Sequence, residues 1–185
     1  LAAPDRPVTS RHDLAFGPCC PQNQRLPLAP NPDGSPQRYA EDCLYLNVYT
    51  PRTATAASRL PVLVFGHGGG DGSGSGSLGI PVLFNGSNAV AAVPHISVVI
   101  NYRLNTIGNL AHPAFRTETS TELNGTTGNF GVWDHLAALR WVNSSIAAFG
   151  GDPTKVLFFG QSSGANHALW IPVIRQFRGL VRHVA

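Results

Sequence analysis

The sequence predicts an α/β domain built on a mainly parallel central sheet with flanking helices. Short apolar runs of strand length recur at residues 61–65, 96–100 and 156–159. Helical patterns separate them, above all the stripe Val132, Leu136, Leu139, Val142 and Ile146, whose spacing of four, three, three and four follows one helix face. Buried strands alternating with helices are the signature of parallel α/β architecture. Glycine-rich sequence also follows the first and last runs directly, and open sheets of this class bind ligands beyond the carboxyl ends of their strands.

Taken in order, residues 1–41 are rich in proline and polar residues without a sustained period, and are expected to pack as irregular segments on the rest. Residues 44–50 alternate apolar and polar, a half-buried strand stopped by Pro51. Residues 61–65 are continuously apolar, as in a strand covered on both faces, and 96–100 read the same way. A short helix is expected over 88–93. The striped helix ends at Gly150-Gly151, with Pro153 barring continuation. A strand at 156–159 then runs into a Gly/Ser turn, and small residues follow where a helix can begin.

With 43% apolar and 12% charged residues, the 185-residue chain can bury a core and form a globular domain. No apolar run approaches the ~18 residues of a membrane span. The net charge of +3 comes from scattered arginines, with Lys155 the sole lysine. Arg175, Arg178 and Arg182 have helical spacing and read as a solvated helix face; no aromatic stacking motif accompanies them, so nucleic acid is not an expected partner. Methionine is absent and no signal peptide is visible, so any targeting segment is expected to be removed or to lie outside these residues.

The adjacent Cys19 and Cys20 cannot form a C-x-x-C knuckle, and no histidine pair stands at zinc spacing, so no metal is implied. A disulfide from Cys20 or Cys19 to Cys43 is expected, leaving one odd thiol. Such a loop closure stabilises by ~3 kcal/mol on the chain-entropy model. Disulfides belong to oxidising compartments. Glycosylation sequons at Asn85 and Asn124 agree with a secreted, extracellular protein; a third at Asn143 is expected near the buried face of its helix.

Gly74-Ser75-Gly76-Ser77-Leu78-Gly79 fits a dinucleotide fingerprint, but it opens no helix and no acidic residue follows ~20 positions on. It reads as a flexible Gly/Ser loop, and no cofactor is implied. Two other motifs carry chemistry. His67-Gly68-Gly69-Gly70 follows a strand directly, so successive backbone N–H groups can face one space, as stabilisation of an oxyanion requires. Gly160-Gln161-Ser162-Ser163-Gly164 is a G-x-S-x-G elbow between a strand and a helix start, which projects Ser162 as a nucleophile. Together, in this order, they point to acyl transfer.

At this point the chain resembles the type-B carboxylesterase family. The carriers are Phe16 to Gln22 (FGPCCPQ), Glu41 to Val48 (EDCLYLNV), the HGGG loop, Asn101 to Leu104 (NYRL), Gly128 to Asp134 (GNFGVWD), Phe149 to Pro153 (FGGDP) and the elbow. The resemblance implies an α/β-hydrolase fold, Ser162 as nucleophile, an oxyanion hole from the N–H groups of Gly69, Gly70 and Ser163, and a Cys20–Cys43 disulfide. It implies a small-molecule ester as substrate. The proline-rich segment between those cysteines holds no tryptophan, which disfavours a choline site, and few apolar residues, which disfavours an interfacial lid. A soluble carboxylic ester is expected.

The departures from the family pattern are specific. Gln161 stands for the usual glutamate, Ser163 for alanine, Asp71 for the aromatic after HGGG, and Asn109 for the aromatic after Gly108. No Asp or Glu follows Ser162, and the only later histidines are His167 and His183. The triad order of serine, acid, histidine therefore predicts that acid and base lie outside residues 1–185, which read as the N-terminal part of a domain, cut at both ends. The competing expectation is a catalytically inactive binding or adhesion module, or a decayed fragment, of the same fold.

Overall fold

The computed structural model describes residues 16–22, 36–77, 86–114 and 127–185. Five strands form one sheet: β1 (Leu46–Tyr49), β2 (Leu60–Gly66), β3 (Ile96–Ile100), β4 (Gly151–Gly160) and β5 (His183–Val184), in the order β1-β3-β2-β4-β5. β1 runs antiparallel to β3; β3, β2, β4 and β5 are parallel neighbours. The helices are α1 (Ser87–Ala92), α2 (Asn105–Asn109), α3 (Phe130–Ser145) and α4 (Ser163–Trp170). The mainly parallel α/β architecture expected from the apolar runs is present. No helix among the described residues is long and apolar enough to cross a membrane.

The core lies where α3 and α4 cover one sheet face. Val62 and Val64, Ile96, Val98 and Ile100, and Val156 and Phe158 meet Leu136, Leu139, Val142, Ile146 and Ala168 there. The α3 stripe thus buries as its period requires. Asn143 does not follow the expectation: it is exposed, one step round the helix from Val142. β3 is buried along its whole length, whereas on β2 the residues Leu63 and Phe65 are only half-buried. That second face of β2 and β4 carries Phe65 against Phe159, 5.1 Å between ring centres, and is partly open among the described residues.

β4 starts earlier than its apolar run. Its first pairing, Gly151 with Leu60, is followed by Val156 with Val62, so Asp152 to Lys155 form a bulge that accommodates Pro153. Asp152 turns its carboxylate back to accept hydrogen bonds from the Thr154 N–H and hydroxyl. At the chain end, Arg175, Arg178 and Arg182 are exposed but share no helix: only a short 3₁₀ turn, Arg175–Phe177, forms there, and Gly179 reverses the chain at φ 82°.

Cys20 and Cys43 form the disulfide, and Cys19 is a buried free thiol. The irregular N-terminal segment is held through Asn101, just past β3. Its amide donates to the carbonyls of Pro18 and Cys43, both at 3.1 Å, while its Oδ1 accepts from Gly76 N–H at 2.7 Å and Ser75 hydroxyl at 3.1 Å. Ser73 to Ser77 are consequently buried, so this part of the Gly/Ser stretch is a bonded structural layer rather than a flexible loop. Asn85 and Asn124 lie outside the described residues.

Candidate active site

The two glycine motifs meet beyond the carboxyl ends of β2 and β4, which are paired in register through Phe65–Phe159 and Gly66–Gly160. Gln161 N–H donates to the Gly66 carbonyl at 3.3 Å, closing one strand end on the other. The turn needs its glycines for space. A Cβ on Gly160 would strike the backbone of Gly164, and one on Gly164 would strike the carbonyls of Gly66 and His67. Gly68 packs equally closely on Gln161 and Ser162.

Ser162 stands at the tip of this turn, exposed, with φ 56° and ψ −122°. That backbone is strained for a residue with a β-carbon, and such strain persists only where the surroundings impose it. Among the described residues, its hydroxyl makes no hydrogen bond. Nearby, the N–H groups of Gly69, Gly70 and Ser163 likewise donate to no carbonyl or side chain among the described residues. Gly69 and Gly70 are exposed, and a Cβ on Gly70 would meet open space. Gly69, Gly70 and Ser162 are thus exposed past the ends of β2 and β4, whereas Ser163, at the start of α4, is buried.

Beneath the turn lies a polar cluster that neither spacing nor periodicity indicated. His67, Tyr102, His135 and His167 are all buried, with His67 stacked on Tyr102 at 4.3 Å between ring centres. Tyr102 hydroxyl donates to the His67 carbonyl at 2.7 Å. His135 Nδ1 lies 2.7 Å from the Gly131 carbonyl, and its Nε2 lies 3.3 Å from His167 Nδ1. His167 Nε2 stands 3.1 Å from Asp71 Oδ1, close enough for electrostatic attraction but off hydrogen-bond alignment. The two His167 ring nitrogens thus face His135 and Asp71. His183 pairs with Leu157 on β4, well before the turn.

Burial lowers the His67 pKa to about 4 and that of His135 to about 3, so both rings are neutral at ordinary pH. Contact with His167 holds the Asp71 carboxyl below its usual range, and burial pushes the Tyr102 hydroxyl up.

Other supports come from residues far apart in sequence. Gln22 donates to the carbonyls of Cys20 and Gly74 and accepts from Gly74 N–H, tying the disulfide segment to the glycine loop. Asp134 on α3 accepts from the Arg103 backbone N–H at 2.9 Å, Nε at 2.8 Å and guanidinium Nη2 at 2.5 Å. Asn109, at the end of α2, is exposed.

Comparison with known proteins places the chain in a family. Residues 9–184 match the sequence pattern of the carboxylesterase family. The chain belongs to the carboxylesterase family. Its sequence is 39% identical over 157 residues to the fumonisin B1 esterase of Sphingopyxis macrogoltabida, covering 85% of this chain and 27% of that protein. It is 41% identical over 150 residues to the para-nitrobenzyl esterase of Bacillus subtilis, covering 81% and 28%. A solved PNB esterase superposes with a TM-score of 0.77 at 36% identity, over 92% of this chain and 32% of that one. This carboxylesterase-family chain therefore has the α/β-hydrolase fold and a carboxylic ester hydrolase lineage, and spans roughly a quarter to a third of the relatives it matches.

Proposed function

We propose that residues 1–185 supply the nucleophile and oxyanion hole of a serine carboxylesterase acting on a soluble carboxylic ester. The observation that carries this reading is Ser162, exposed on a strained backbone beside the unengaged N–H groups of Gly69, Gly70 and Ser163. Ser162 Oγ attacks the ester carbonyl and forms a tetrahedral intermediate, whose oxyanion accepts from those three donors. The alcohol leaves, and water then releases the acyl group from the serine. Each fixed donor of this kind is worth ~10²–10³ in rate.

The base that takes the hydroxyl proton, and the acid that orients it, belong to residues outside 1–185. The exposed hydroxyl and the absence of any acid after Ser162 support that division. Secretion is the compartment proposed, supported by the Cys20–Cys43 bond. The test is labelling of the complete gene product with a fluorophosphonate probe. Labelling of Ser162, lost in Ser162→Ala, is expected. Resistance of the intact, folded protein to the probe sinks the enzyme reading and leaves the binding-module alternative, which Gln161 and Asp71 favour by replacing the residues usual at their positions.

A further inference from the structure

The positions where this chain departs from the family pattern at 71 and 163 are in contact with each other. Asp71 N–H donates to Ser163 Oγ at 3.3 Å, and the Asp71 carboxylate faces His167 at 3.1 Å. Ser163 and His167 stand four residues apart on α4, so one helix face presents both to the glycine loop. We propose that Asp71, Ser163 and His167 form a positioning clamp that fixes the glycine loop against α4, and with it the spacing of the oxyanion donors. The proposal rests on the reading of Ser162 and the glycine loop given above.

The clamp has a rigid backing. His135 Nδ1–H donates to the Gly131 carbonyl, which leaves its Nε2 as an acceptor for His167 Nδ1–H. The remaining His167 nitrogen, Nε2, then faces the Asp71 carboxylate at 3.1 Å, an electrostatic contact across the corner. Asn105 holds the same corner from the other side. Its N–H donates to the Asp71 carbonyl at 2.7 Å and its amide to the Gly72 carbonyl at 2.8 Å. Asp71 itself adopts φ 55°, a left-handed conformation that directs its N–H and carboxylate toward α4.

Gly69 and Gly70 immediately precede this corner, and the third donor belongs to Ser163 itself. Loosening the clamp separates donors on the loop from the donor on the helix. Substrate still binds, but the oxyanion is poorly met in the transition state. Asp71 is thus a positioning residue.

The test compares Asp71→Asn, His167→Gln and the double variant in the complete gene product, with a p-nitrophenyl ester as substrate. Asparagine tolerates the same backbone, so the fold and melting temperature should be kept. Each single change is expected to lower kcat about tenfold with KM within about twofold, and the double variant to be no slower than the slower single, because both cut one contact. Ser163→Ala, which removes only the hydroxyl, should lower kcat in the same way. Singles that keep kcat within about twofold, that raise KM instead, or that multiply independently in the double variant overturn the clamp. Ser162→Ala is measured alongside: if it keeps turnover, the reading of the site has failed, whatever the clamp does.

Discussion

Ser162 is one of five non-glycine residues with positive φ among the described residues, and it stands at the tip of the turn. Its φ of 56° and ψ of −122° lie where side chains are rarely found, and the close packing of Gly68 on Ser162, of Gly160 on Gly164 and of Gly164 on Gly66 and His67 leaves the turn no room to relax. A residue held this way costs on the order of 1–3 kcal/mol, and only glycine escapes the cost. Ser162→Gly should therefore be more stable than Ser162→Ala by about 1 kcal/mol, read from urea unfolding of the two variants. Both lose the hydroxyl, so the difference isolates the backbone. If alanine proves equal or better, the strain is not there.

Between elements, the joint of α3 to the end of β3 shows what the sequence makes legible and what it conceals. The α3 stripe was readable because a period of 3.6 states which face is buried, and the apolar runs marked β2, β3 and the heart of β4. The start of β4 was not, because Pro153 looked like a stop and is absorbed in a bulge paired to β2. Arg175, Arg178 and Arg182 had helical spacing, but Gly179 sits among them and breaks the element. The elbow and HGGG loop could be read locally, since each lies in a few consecutive residues. The contacts of Asp71 with His167 and of Arg103 with Asp134 could not, because nothing but the finished sheet brings them together. Asp134, almost wholly inaccessible and accepting three N–H groups from Arg103, ties α3 to the chain leaving β3. Removing one partner of such a pair leaves the other uncompensated, although Arg103 is part-exposed at 19% and can hydrate in part. Asp134→Ala should cost about 3 kcal/mol in unfolding free energy. A loss below about 1 kcal/mol would mean the joint is held by packing alone.

For the molecule as a whole, the histidines under the turn make stability a function of pH. The folded protein keeps His67 neutral down to about 4 and His135 down to about 3, whereas the unfolded chain protonates such rings near 6.5. Between pH 6.5 and about 4, unfolding therefore takes up protons, and stability falls as pH falls. Each such proton contributes up to about 1.4 kcal/mol per pH unit, so the two rings together give a slope approaching about 2.7. Above 6.5 both states leave these rings neutral and the slope from them vanishes. The lowered Asp71 carboxyl works in the acid range only: its contribution is present above the unfolded value of 3.8 and is lost as pH falls further. The main loss therefore comes in a range where carboxylates are still ionised, which separates histidine uptake from ordinary acid unfolding. Urea unfolding measured from neutral pH down to about 4 should show this steep loss, and His67→Gln should make it shallower by removing one ring. A stability flat across that range would mean that water reaches the cluster and the rings titrate normally in the fold. The same burial that keeps the rings neutral closes the space behind Ser162, so an acid that opens the cluster should also release the turn.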